Sequence, residues 1–100
     1  MEREELVKLG IEGFKADEIM LLQEKMLERA CKFMYRKKDG SLRDAVGTLK
    51  RDMMRLSDGT LWEPKGGPAP ARPGVINYFD LREGAWRSFV PERFVAFVAV

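Results

Sequence analysis

Apolar side chains recur at helical spacing over the first thirty residues and at every second position along most of the remaining chain. Residues 2–9 (EREELVKL) predict a short helix that stops at Gly10, with carboxylates near its positive N-terminal end. After Gly10 and Gly13, Asp17 offers an N-cap for a second helix reaching Arg29. There Ile19, Leu22, Met26 and Ala30 fall near one face, broadened by Met20 and Leu27, while Glu18, Gln23, Glu24, Lys25 and Glu28 take the other. A Met-rich stripe of this kind packs on a sheet or grips a partner.

At Cys31 the period becomes two. Cys31, Phe33 and Tyr35 alternate with Lys32, Met34 and Arg36, and the run ends at Lys38-Asp39-Gly40-Ser41. Asp-Gly between strand-like runs predicts a hairpin, because Gly accepts a positive φ without a Cβ clash. A two-residue turn at Asp39-Gly40 sets Phe33 opposite Val46 and Arg36 opposite Arg43, and the Phe–Val pair favours that register. An anion between the two guanidinium groups would then offset their repulsion. A three-residue loop ending at Gly40 sets Phe33 opposite Ala45 instead and sends the two arginines to opposite faces.

Lys50–Leu56 predicts a helical turn or two, and Ser57-Asp58-Gly59-Thr60 a further turn before Leu61-Trp62. Residues 64–74 (PKGGPAPARPG) hold four prolines and three glycines and read as an exposed, projecting loop. Val75–Leu81 resumes the alternation, and Arg82-Glu83-Gly84 predicts a three-residue turn that pairs Leu81 with Ala85, Asp80 with Trp86 and Phe79 with Arg87. Val90-Pro91-Glu92-Arg93 makes a tight connection to a last apolar strand, Phe94–Val100. The fold class is mainly β with N-terminal α. Five strands joined this way suit a small closed barrel, since closure removes the open edges, including that of the apolar last strand. Residues 1–16 form an N-terminal extension with a short helix, and residues 17–100 a single barrel domain with a leading helix (17–29) and the exposed loop (64–74).

The order F-x-Y-R-K-K-D-G-S-x-R-x-A-x-G-T-L at 33–49, the Pro/Gly loop, and V-x-N-Y-F-D-L-R-E-G-A-W-R-S-F at 75–89 resemble the WYL-like family of Sm-like, SH3-type small barrels from Bacteroidales and their phages or mobile elements. The resemblance covers residues 22–98. It implies a five-stranded SH3/Sm-like barrel behind an N-terminal helix and, by looser kinship, the ligand-sensing and nucleic-acid-related roles proposed for WYL domains. Those domains usually sit beside a DNA-binding helix-turn-helix. No such motif is evident here, which speaks against autonomous transcription-factor activity. The family has no established catalytic residues, so the resemblance implies none.

Composition adds bounds. At 100 residues, 45% hydrophobic and 34% charged, the chain is an ordinary globular domain. It buries about 60–65% of its unfolded surface, so dimerisation would enlarge a modest core. No run reaches the roughly 18 apolar residues of a membrane span, the charged start MEREELVK lacks a signal-peptide core, and the lone Cys31 has no internal disulfide partner. The expectation is a cytoplasmic protein with no membrane partner. The net charge of +2 hides an uneven division. Residues 1–28 carry −4, residues 29–55 carry +6, and residues 56–100 are neutral, so the basic excess sits on the first hairpin and its flanks.

With no His, Ser–His and Cys–His nucleophile pairs and the commonest zinc ligand are absent. Cys31 reads as a small core residue. Asp44 and Asp80, the two strand carboxylates, suit salt bridges to arginines such as Arg43 or Arg87 better than an acid/base pair. Gly66-Gly67 lacks the strand-to-helix setting of a phosphate loop. The sequence thus predicts no enzyme, no cofactor and no metal. What it offers is a basic and aromatic set, Arg36, Lys37, Lys38, Arg43, Trp62, Tyr78, Trp86 and Arg87, in which guanidinium groups would hold phosphates and rings would stack bases. The plainer reading makes Tyr78 and Trp86 core or rim residues and the lysines solubilising. The expected function is a non-enzymatic small-barrel binding domain for an anionic ligand, nucleic acid foremost, through the basic hairpin. The alternative is a protein-interaction or self-assembly module, with a homodimer or protein partner and no nucleic-acid binding.

Overall fold

Leu6, Ala16, Ile19, Leu22 and Met26 supply the buried face of two N-terminal helices, α1 (Arg3–Lys8) and α2 (Gly13–Met26), in a computed structural model that describes residues 1–63 and 72–99. The spacing of Ile19, Leu22 and Met26 holds as expected, but α2 starts and stops earlier than the sequence suggests. Asp17 caps nothing. It lies within the helix, 2.8 Å from Arg3 Nε, while the ladder begins with Ala16 N donating to Glu12 O at 2.8 Å. Starting at Gly13 buries Ala16 in the core beside Leu6, and Gly costs least in a first turn, where its N–H has no partner inside the helix.

Five strands follow: β1 (Cys31–Arg36), β2 (Leu42–Thr48), β3 (Ile76–Asp80), β4 (Ala85–Phe89) and β5 (Phe94–Ala99). They form one antiparallel sheet in the order β4-β3-β2-β1-β5. A 3-10 turn at Arg51–Met53 follows β2, and another at Pro91–Arg93 joins β4 to β5. The architecture is mainly β with leading helices, as expected. Closure differs from expectation: β4 and β5 are edge strands, and among the described residues no ladder joins them. Side chains close the gap instead. Phe89 of β4 stacks on Tyr35 of β1 at 4.7 Å and on Phe94 of β5 at 6.1 Å, and register shifts in the β1–β5 ladder help bend the sheet around this aromatic core.

The edge strand β5 is covered by α2. Lys15 Nζ donates to Phe94 O at 3.3 Å, and Phe97 N donates to Glu18 Oε2 at 3.4 Å. Two backbone groups that could template another strand are thereby occupied. The far end of α2 is tied to β2, where Leu49 N donates to Met26 O and the buried Thr48 hydroxyl lies 3.1 Å from Met26 O and 3.0 Å from Arg29 O. These bonds satisfy carbonyls that a helix C-terminus otherwise leaves without partners.

The sheet is packed on both faces. Beneath it, helices and strands share the main core. Above β3–β4, the excursion through residues 50–62 buries Met54 and lays Trp62 against Phe79 and Trp86, with Trp62 N donating to Met54 O at 2.8 Å. Most of the expected projecting loop, residues 64–71, lies outside the described residues.

Candidate functional site

The first hairpin adopts the three-residue loop, not the favoured two-residue turn. Lys37 N donates to Ser41 O at 2.8 Å, Gly40 N donates to Lys37 O at 2.9 Å, and Gly40 takes φ +87°. Phe33 therefore faces Ala45 and Arg36 faces Leu42, so the expected clamp of Arg36 directly opposite Arg43 does not form. Two causes select this register. Asp39 Oδ1 accepts from both Ser41 N (2.9 Å) and Ser41 Oγ (2.6 Å), which ties the residue just beyond Gly40 back to the turn where it closes on Lys37. The other register would also turn Asp44 toward the core, whereas here it stays exposed. The bonds from Ser41, side chain first, hold the Asp39 carboxyl below its ordinary value.

The second hairpin is likewise one residue off expectation. Asp80 pairs with Ala85, Phe79 with Trp86 and Tyr78 with Arg87, leaving a four-residue turn. Asp80 is 3% exposed; its Oδ1 accepts from Arg82 N (2.8 Å) and Glu83 N (3.1 Å), and its Oδ2 lies 2.9 Å from Arg87 Nε. The Nε–H is aimed off this carboxylate, so the contact is an ion pair and not a hydrogen bond. The anticipated Asp80–Arg87 salt bridge is thus present.

Although Arg36 and Arg43 occupy opposite faces of their hairpin, the bend of the sheet brings both to one concavity of about 370 Å³. Its wall includes Arg36, Lys37, Lys38 and Arg43 from the first hairpin, Arg87 from β4, Arg93 from the second 3-10 turn and Arg72 ahead of β3. Among the described residues, seven of the thirteen that line it are Arg or Lys, and none is Asp or Glu. Tyr35 and Phe89 line it as well. A second, shallower depression of about 420 Å³ shares Arg36, Lys37, Lys38 and Arg93, and adds Lys15 and Glu92. The two are separated by the hairpin's own cations.

Six of the eight residues singled out in the sequence line the cavity: Arg36, Lys37, Lys38, Arg43, Trp86 and Arg87. Tyr78 does not. It is fully buried, its hydroxyl lies 2.7 Å from that of Tyr35, and burial, helped by that bond, raises its phenol pKa. Trp62 is elsewhere too, edge-on to Trp86 at 5.3 Å, with Arg51 5.7 Å above its ring. The indole of Trp86 belongs to that outer cluster, because its strand partner is Phe79 while Arg87 shares the face of Tyr78. Arg72 and Arg93 were not anticipated. Each stands apart from the other cations in sequence, and only the curvature of the sheet assembles them with the hairpin. Cys31 is buried, which pushes its thiol pKa up. Asp44 and Asp80 do not form an acid/base pair: Asp44 is exposed and Asp80 is committed to its turn and Arg87.

A bent five-stranded antiparallel sheet behind a leading helix, with a 3-10 turn before the last strand, defines a small Sm/SH3-type β domain. Residues 19–95 match the model of the WYL_2 family, described as a Sm-like SH3 beta-barrel fold. The chain belongs to the WYL_2 family. No curated protein and no solved structure gives a match. No helix among the described residues is long and apolar enough to cross a membrane.

Proposed function

We propose that this domain binds nucleic acid through the cavity between its two hairpins and performs no catalysis. The observation that carries this reading is the seven-to-none excess of cationic over acidic residues on one concave surface, in a chain whose net charge is only +2. Concave walls focus the field of such a cluster and raise the local concentration of anions. Buried Cys31 fits a reducing, cytoplasmic setting. Arg36→Glu combined with Arg43→Glu should weaken binding of single-stranded oligonucleotides at least about tenfold, and the logarithm of affinity should fall with that of salt by about 0.7–0.9 per phosphate neutralised. Lack of any salt-dependent binding to DNA or RNA at micromolar protein would overturn the reading.

A second reading, an interaction or self-assembly module, draws on Phe14 and Leu27, each 63% exposed on or beside α2. Light scattering separates the two: a monomer at all concentrations removes self-assembly.

A further inference from the structure

The cavity offers charge and hydrogen-bond donors but little ring surface. Of the three aromatic residues in its wall, Tyr35 and Phe89 are 5% and 4% exposed and stack on one another, while the half-buried indole of Trp86 meets Trp62 and Phe79 edge to face. Base stacking, the sequence-tolerant means of holding a single strand, is therefore limited among the described residues to Trp86.

One cation in the wall is set in place before any ligand arrives. Arg87 Nε lies 2.9 Å from Asp80 Oδ2, and Asp80 is itself held by two turn N–H groups. With Nε held at ion-pair distance from the carboxylate, the paired Nη groups remain for a phosphate, which guanidinium meets with two parallel bonds. Arg43, Arg72 and Arg93 come from three other parts of the chain, so donors approach from several sides. A phosphodiester within a strand presents two free oxygens and one negative charge, and its chain must enter and leave the cavity. A terminal phosphate monoester presents three oxygens and close to two charges, and enters end-on.

We infer that the cavity reads a terminal phosphate monoester, the phosphorylated end of a nucleic-acid strand, with Arg87 and Arg43 as principal contacts and Asp80 as the positioning residue for Arg87. This rests on the anion-binding reading above and specifies which phosphate is bound.

The test uses the full chain and one internally labelled single-stranded oligonucleotide with a 5′-phosphate, a 3′-phosphate or hydroxyl ends, followed by fluorescence anisotropy. One phosphorylated form should bind about tenfold more tightly than the hydroxyl form, the factor supplied by an added charge-assisted contact. Arg87→Gln should abolish that preference while salt-dependent binding persists, and Arg43→Gln serves should Arg87→Gln fail to fold. Adenosine monophosphate competing as well as the phosphorylated strand would keep the phosphate assignment and make a free nucleotide its source. Equal affinity of all three oligonucleotides, or a preference untouched by both variants, overturns the inference and leaves general anion binding standing. No binding to any of them overturns both.

Discussion

The two hairpins begin from the same kind of turn, an acidic residue followed by Gly at positive φ, and end in opposite conditions. Around Asp39-Gly40 the turn is exposed, and a Cβ added to Gly40 would meet nothing within 4 Å. Around Glu83-Gly84 the turn is anchored. A Cβ on Gly84 would lie 2.9 Å from both Arg55 O and Ser57 N, and the buried Asp80 beneath the turn binds two of its N–H groups and pairs with Arg87. The first hairpin therefore contributes exposed cations at a tip, and the second contributes a cation fixed by the core. A binding surface assembled from both combines reach with preorganisation.

Substitutions at matching positions test this contrast. Gly84→Ala should cost the most, on the order of 3 kcal/mol, because left-handed backbone strain adds to a clash with backbone that cannot move aside. Gly40→Ala should cost only the strain, about 1 kcal/mol. Urea unfolding of the two variants checks the difference, and equal losses would mean that the second turn is not anchored as described. Asp80→Ala should cost about 2 kcal/mol, discounted from a fully buried ion pair because a third of the Arg87 side chain reaches solvent. It should also weaken oligonucleotide binding, which a merely structural loss at the turn would not do once the protein is folded.

The smallest effect belongs to Asp39. Its carboxyl pKa is held below the ordinary 3.8 in the folded chain, so its contribution to stability is complete above that value and is lost as pH falls through the lowered folded pKa. In Asp39→Asn the acid-side loss of stability should be smaller than in the wild type below pH 3.8, and identical pH profiles would remove the Ser41 bonds from the account.

Both hairpins depart by one residue from the register that alternation favours, for one physical reason. Apolar alternation locates a strand and its turn, but the polar bonds within the turn count its residues. The chain contains the cue twice. Leu56–Thr60 repeats the bonds of Lys37–Ser41: Leu56 N donates to Thr60 O, Gly59 N to Leu56 O, and Asp58 Oδ1 accepts from Thr60 N and Oγ. Asp-Gly followed by Ser or Thr thus specifies a three-residue loop, since the hydroxyl and N–H beyond Gly close on the carboxylate. In the second hairpin Asp80 performs this task from a buried position at the end of β3, and alternation alone gives no sign that a buried strand residue will cap the turn.

The arrangement of apolar positions by itself determined the helix face of Ile19, Leu22 and Met26, the five strands, and the basic hairpin, because each depends on spacing along a few neighbouring residues. Gly47 illustrates what only the tertiary structure decided: a Cβ there would come within 2.5 Å of the Tyr78 ring, a contact between distant segments that no local pattern encodes. The gathering of Arg43, Arg72, Arg87 and Arg93 belongs to the same class. Tertiary folding also sent Tyr78 and Trp62 away from that surface, into two separate cores on opposite faces of one sheet. Which side chains share a surface is set by the curvature of that sheet, and curvature arises from packing across the whole chain.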